Sequence, residues 1–278
     1  MNHNSKQLVL LVSLAYLLIT IVITWPVAIH LKSIIFAQPG DPFGALYSIW
    51  ESRSVWPDLT FPQAPFLVVT TTILARLSGE VVSYNLILLS GFVLTGLAGY
   101  CLALRVTSNR FAAFFAGLVL LISPFHVSRA LQHLGLANLQ WLIFFITSLI
   151  WFDERPTIGR GALVGLLFAI TTLDSYLYGL MALVVIAVFA IWKLGVHLLR
   201  VILDRMATTD RQSGSGIQST RAPVRSKSRI IEQTSSRSTG SLMSISLKRI
   251  GSRMTKLIGV LVGAIIAAAL IYPAVRPL

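Results

Sequence analysis

The sequence predicts an all-α integral membrane protein, and three observations carry that prediction. Hydrophobic residues make up 55% of the 278 and charged residues only 12%, with a mean hydropathy of +0.78, more apolar than a soluble domain can bury. Apolar segments near the roughly 20 residues that a helix needs to cross a bilayer recur along the chain. They lack the alternating period-two pattern of barrel strands.

The first apolar run, "LVLLVSLAYLLITIVITWPVAI" at about 8–29, follows a single lysine, Lys6. It is too long for the apolar core of a signal peptide, and no small-residue cleavage pattern follows, so it reads as a retained first span. About 50 residues then separate it from the next apolar run. Within this loop, 30–80, "FGALYSIW" and "FLVVTTTILARL" are too apolar and aromatic for disorder and read as short interfacial helices. Further spans are predicted at 81–104, 111–125, 139–152, 161–176 and 180–199. The two near 15 residues, 111–125 and 139–152, are the shortest. Residues 204–256 are rich in Ser, Thr, Gly and Arg, carry a net charge of +8, and read as a disordered basic loop. Such a loop either fixes topology or tethers to anionic lipid, and its 241–256 stretch fits a short interfacial amphipathic helix. Nothing aromatic or fold-like in it supports nucleic-acid binding. A seventh span, 257–273, closes the set. The chain thus divides into a membrane module, 1–203, the basic loop, 204–256, and the last span with its outer end, 257–278.

Charge orients these about seven transmembrane helices, because cytoplasmic connections collect lysine and arginine. With the N-terminus inside, 18 basic and five acidic residues fall on the cytoplasmic side, which holds the entire net charge of +13. The outer side holds Lys32, Arg53, Arg76, Arg129 and Arg276 against Asp41, Glu51, Asp58, Glu80 and Asp174, and is neutral. The expectation is a multi-pass plasma-membrane protein with the N-terminus cytoplasmic, the loop 30–80 outside and the C-terminus external. Lone Cys101, inside an apolar run, reads as a small buried hydrophobe.

The outer loop holds the chemistry. In "AQPGDPFGALYSIWES", Asp41 stands between Gly40 and Pro42. Asp followed by Pro is a common helix start, with the carboxylate capping free N–H groups, but Gly44 occupies the place of a capping-box Glu or Gln. The alternative is a carboxylate that serves a ligand. Glu51 lies ten residues on and returns near the same face of a helix. His126 and His133, seven apart in "SPFHVSRALQHLGLANLQW", share a helical face toward the outer side. They either touch a ligand or fill a polar boundary, His133 being the better ligand candidate and His126 the better boundary residue. Two histidines without a local third ligand give a metal site little support. Arg129 and Lys32 suit either interfacial snorkelling or a phosphate, and Arg53 and Arg76 are further outer cations. Asp174 and Tyr176, in "LDSYLYG", read as a turn at a span end or as a functional carboxylate. Trp50, Trp56 and Trp141 fit an aromatic belt.

"PGDPFGALYSIWES", "SYNLILLSGFVLTGLAGYCLALRVTSNRFAAFFAGLVLLISPFHVSRALQHLGLANLQW" and "DSYLYG" together resemble GT-C-type polytopic bacterial membrane glycosyltransferases and their uncharacterised relatives, over residues 1 to about 200 and the last span. The resemblance implies inverting transfer of a sugar from a polyprenyl-phosphate donor on the outer face, with Asp41 as general base or acceptor-positioning carboxylate. It makes Glu51, Arg53, Arg129, His133 and His126 the substrate-binding candidates, with a divalent metal left open as cofactor. Such relatives are longer, their first seven spans forming a shared donor-side module. The expectation is therefore a fragment, a half-enzyme whose acceptor side comes from a partner subunit, or an inactive remnant. The rival class is non-enzymatic: a transporter or a lipid-linked-glycan binding or assembly protein. No span carries the mid-membrane charge that a proton relay needs.

Overall fold

The computed structural model describes residues 3–54 and 64–217. Among these residues every regular element is a helix: α1 (His3–Ile23), a 3-10 turn (Val27–Ile29), α2 (Asp41–Ser54), α3 (Pro65–Ser78), α4 (Glu80–Thr107), α5 (Arg110–Leu121), α6 (Pro124–Gln132), α7 (Leu134–Ala137), α8 (Gln140–Glu154), α9 (Ile158–Asp174) and α10 (Tyr176–Ile217). Five stretches are long and apolar enough to cross a membrane: Lys6–Ile23, Glu80–Thr107, Arg110–Gln132, Leu134–Glu154 and Tyr176–Met206. The all-α class holds, and these helices are consistent with a multi-pass membrane protein. The predicted last span, 257–273, lies outside the described residues.

The first span is shorter than expected. Its helix ends at Ile23, just before Trp25-Pro26, since a proline is disfavoured inside a helix; the 3-10 turn takes up 27–29. The two short predicted spans gain length from neighbours that sequence pattern alone did not join to them. Ser123 accepts a hydrogen bond from His126 N at 3.2 Å and starts α6 with Pro124 in its first turn, continuing the path of α5. Residues 204–217 are also helical, a correction to the expected start of the disordered loop at 204. Met206 and Ala207 are good helix formers, and Arg200 and Asp204 stand one turn apart. The rest of that loop lies outside the described residues.

By its contacts the chain divides after Val185, so that α1 to the first turns of α10 belong to one unit and a second begins at Ile186. In the first unit α4 is the central element, packed on α1, α3, α5, α7 and α8. Tyr16 of α1 is fully buried beside α4 and α5: its hydroxyl donates to Phe114 O at 2.9 Å and its ring stacks on Phe114 at 5.4 Å. Glycine makes that insertion possible. A Cβ on Gly117 would lie 2.2 Å from the Tyr16 hydroxyl and 2.4 Å from Gly96 O. The outward side of α1 stays apolar and exposed, with Leu11 at 64% and Val22 at 74%, as a lipid-facing helix requires. Cys101 is also exposed on α4, against the expectation of a buried position. In the second unit Lys193 lies over the Phe189 ring, 5.7 Å from its centroid.

Candidate functional site

The chain between α1 and α2 is tied down at two points. Asn85 of α4, fully buried, donates from Nδ2 to Leu31 O at 2.9 Å and to Ile34 O at 2.7 Å. Gln38 N then donates to Leu131 O of α6 at 2.8 Å. Gly40 follows with φ +130°, a backbone region that disfavours any residue with a Cβ, and Phe43 N donates back to Gly40 O at 3.0 Å. Asp41 is therefore the first residue of α2 instead of its cap. An acid in that turn is favoured by the helix dipole.

This path brings Asp41 to His133. His133 occupies the break between α6 and α7, in extended backbone, its own N–H donating to Arg129 O at 2.7 Å. Its carbonyl accepts from Leu136 N at 3.0 Å and Ala137 N at 3.1 Å. His133 Nδ1 lies 2.9 Å from Asp41 Oδ2. Among the described residues the Asp41 carboxylate meets this imidazole and no backbone N–H of α2. The side chains are 71% (Asp41) and 38% (His133) exposed, so the pair adds at most about 1 kcal/mol to stability.

The other candidates are distributed differently. Glu51 is exposed on α2, but ten residues of helix separate it from Asp41 by roughly 15 Å along the axis, so a shared face does not make a shared site. Arg53 is ion-paired with Glu80, the first residue of α4. Arg76 donates to Ser52 O at 3.3 Å, and Ser52 in turn accepts from Thr72 Oγ1 at 3.0 Å, which fastens α2 to α3. Arg129 sits one helical turn before His133, its guanidinium 5.5 Å from the Phe125 ring centroid. It is the candidate cation nearest the Asp41–His133 pair in sequence. His126 is sealed in: fully buried, with Nδ1 2.9 Å from Leu121 O, Nε2 2.9 Å from Ala137 O, and its ring 4.4 Å from that of Phe92. Both nitrogens are occupied by backbone, so His126 joins the end of α5 to α7 instead of reaching a ligand. Lys32 is exposed. Asp58 and Trp56 lie outside the described residues.

Two polar positions were missed or misplaced by sequence reasoning. Asn85 was visible only as part of "SYN", with no pattern to say that its amide holds a distant loop. Asp174 ends α9 but is no surface turn: it is 1% exposed. Asn138 Nδ2 donates to its Oδ1 at 3.4 Å, while Oδ2 has no partner among the described residues. Gln140 Nε2 donates to Asn138 Oδ1 and Thr95 Oγ1 to Gln140 Oε1, each at 3.4 Å, making a thin interior chain of polar groups. Above it the Tyr178 hydroxyl donates to Leu136 O at 2.5 Å.

No group of three or more His, Cys, Asp or Glu side chains among the described residues is arranged to hold a metal ion. Against known proteins, the chain matches no family model, no curated sequence and no solved structure.

Proposed function

We propose that this protein is a GT-C-type membrane glycosyltransferase that moves a sugar from a polyprenyl-phosphate donor to an acceptor on the outer face of the membrane. The single observation that carries the reading is the Asp41–His133 pair. In-line attack at an anomeric carbon requires an acceptor hydroxyl to lose its proton, and a carboxylate–imidazole pair within hydrogen-bond distance is equipped to take it. The departing lipid phosphate needs a cation, and Arg129, one helical turn before His133, is the candidate side chain to supply one. In this reading seven helices span the plasma membrane, the N-terminus and the basic loop are cytoplasmic, α2 and α3 lie along the outer interface, and the C-terminus is external. The acceptor side comes from a partner subunit.

The buried Asp174 supports a second reading, a carrier or lipid-linked-glycan binding protein. A buried carboxyl at the end of α9, in contact with Asn138 and extended by Gln140 and Thr95, is a polar element of the kind that binds a ligand or proton. Membranes containing the protein and a labelled polyprenyl-phosphate sugar separate the two. Release of the lipid phosphate with transfer or hydrolysis of the sugar supports the enzyme; saturable binding without turnover supports the carrier.

A further inference from the structure

We infer that the atom taking the acceptor's proton is Nε2 of His133, with Asp41 as the positioning carboxylate that fixes the imidazole; this rests on the sugar-transfer reading of the outer loop. Asp41 Oδ2 faces Nδ1, at 2.9 Å. A carboxylate accepts only, so the proton of the neutral ring is drawn to Nδ1 and the lone pair is left on Nε2. The two side chains come from backbones that are each held. Asp41 follows the Gln38–Leu131 bond and the positive-φ Gly40, and His133 is bonded through N–H and carbonyl to both flanking helices. The held backbones bring the two side chains together, and the contact to Nδ1 orients the ring.

The step balances without another reagent. The acceptor oxygen forms its bond to the anomeric carbon while the bond from that carbon to the phosphate oxygen breaks. The hydroxyl proton moves to Nε2, and the imidazolium so formed faces the Asp41 carboxylate. The lipid leaves as its phosphate, and the ring returns its proton to that phosphate or to water. Asp41 thereby acts on the reacting atoms through the ring, the orienting role that a buried carboxylate has in hydrolytic triads.

Two measurements on the full chain in lipid nanodiscs test this. The first is nitrogen-15 NMR of labelled histidine, with His133→Gln used to assign the His133 signal. A neutral ring protonated at Nδ1 in the wild type, shifting toward the Nε2-protonated form in Asp41→Asn, is the expected result. An Nε2-protonated ring in the wild type overturns the inference, whether or not any donor turns over. The second is turnover of labelled polyprenyl-phosphate sugar with the acceptor side supplied. His133→Gln should lower kcat by a factor on the order of 100 or more with KM for the donor little changed, and adding Asp41→Asn should cost little further. Full activity of His133→Gln beside a dead Asp41→Asn would make Asp41 itself the base. Absence of turnover in the wild type with every donor tried rejects the sugar-transfer reading and with it this role for the pair.

Discussion

Replacing Asn85 by alanine should loosen the outer loop before it melts the helical unit. The native amide donates two hydrogen bonds, to Leu31 O and Ile34 O, from a fully buried position, while its own Oδ1 has no partner. Stranding two part-buried carbonyls costs about 1–3 kcal/mol each, and removing the unpartnered Oδ1 gives back one such quantity, leaving a net loss of roughly 1–3 kcal/mol. For a domain of this size that corresponds to a fall in Tm of about 2–12 °C. The loss is local, so the population of the opened loop should rise about tenfold for each 1.4 kcal/mol. Brief trypsin treatment of the protein in detergent reads this directly, as the rate at which the fragment ending at Lys32 appears. Wild type and Asn85→Ala should differ by a factor on the order of 5 to 100, with Tm measured in parallel. Equal cleavage rates and equal Tm would refute the argument that Asn85 holds the segment leading to Asp41.

Gly117→Ala places a Cβ 2.2 Å from the Tyr16 hydroxyl and 2.4 Å from Gly96 O, and should cost at least about 1–3 kcal/mol in unfolding experiments. Tyr16→Phe added to it should recover only part, because the backbone oxygen remains. Asp174→Asn keeps shape and an acceptor for Asn138 while removing a buried ionisable carboxyl, so its Tm should match or exceed wild type; Asn138→Asp, which sets its own carboxyl about 3.4 Å from that of Asp174, should lower Tm by roughly 5 °C or more. For topology, Ser48→Cys should react with an impermeant thiol reagent in intact cells and Ser215→Cys should not, both in a Cys101→Ala background. Strong labelling at position 215 would reverse the orientation.

The helices α4 and α10 were legible from apolar length, whereas the same signal ran the first span past Pro26 and did not mark the Asn109 and Ser123 caps that begin α5 and α6. The outer helices α2 and α3 were also visible in "FGALYSIW" and "FLVVTTTILARL". What pattern could not supply was the third dimension. Periodicity placed Glu51 on the face of Asp41 but says nothing of the axial distance, which separates them. It placed His126 and His133 on one face, yet the break at His133 turns one outward to Asp41 and leaves the other between two backbone carbonyls. Asp174 read as a turn or a functional carboxylate because its burial and its contact with Asn138, 36 positions away, are not written in its neighbours in sequence. Arg53 looked like a free outer cation until Glu80, 27 positions away, was found beside it.

Sugar transfer by purified wild type and Asp41→Asn, compared at matched Tm with a labelled polyprenyl-phosphate sugar and the acceptor side supplied, tests the central claim most directly. Asp41 makes no cap hydrogen bond among the described residues and is largely exposed, so the substitution should leave Tm within a degree or two, on the scale of an exposed pair. The account predicts a fall in turnover by a factor on the order of 100 or more. Equal rates in the two proteins would contradict it and return Asp41 to the role of an ordinary acid in the first turn of a helix.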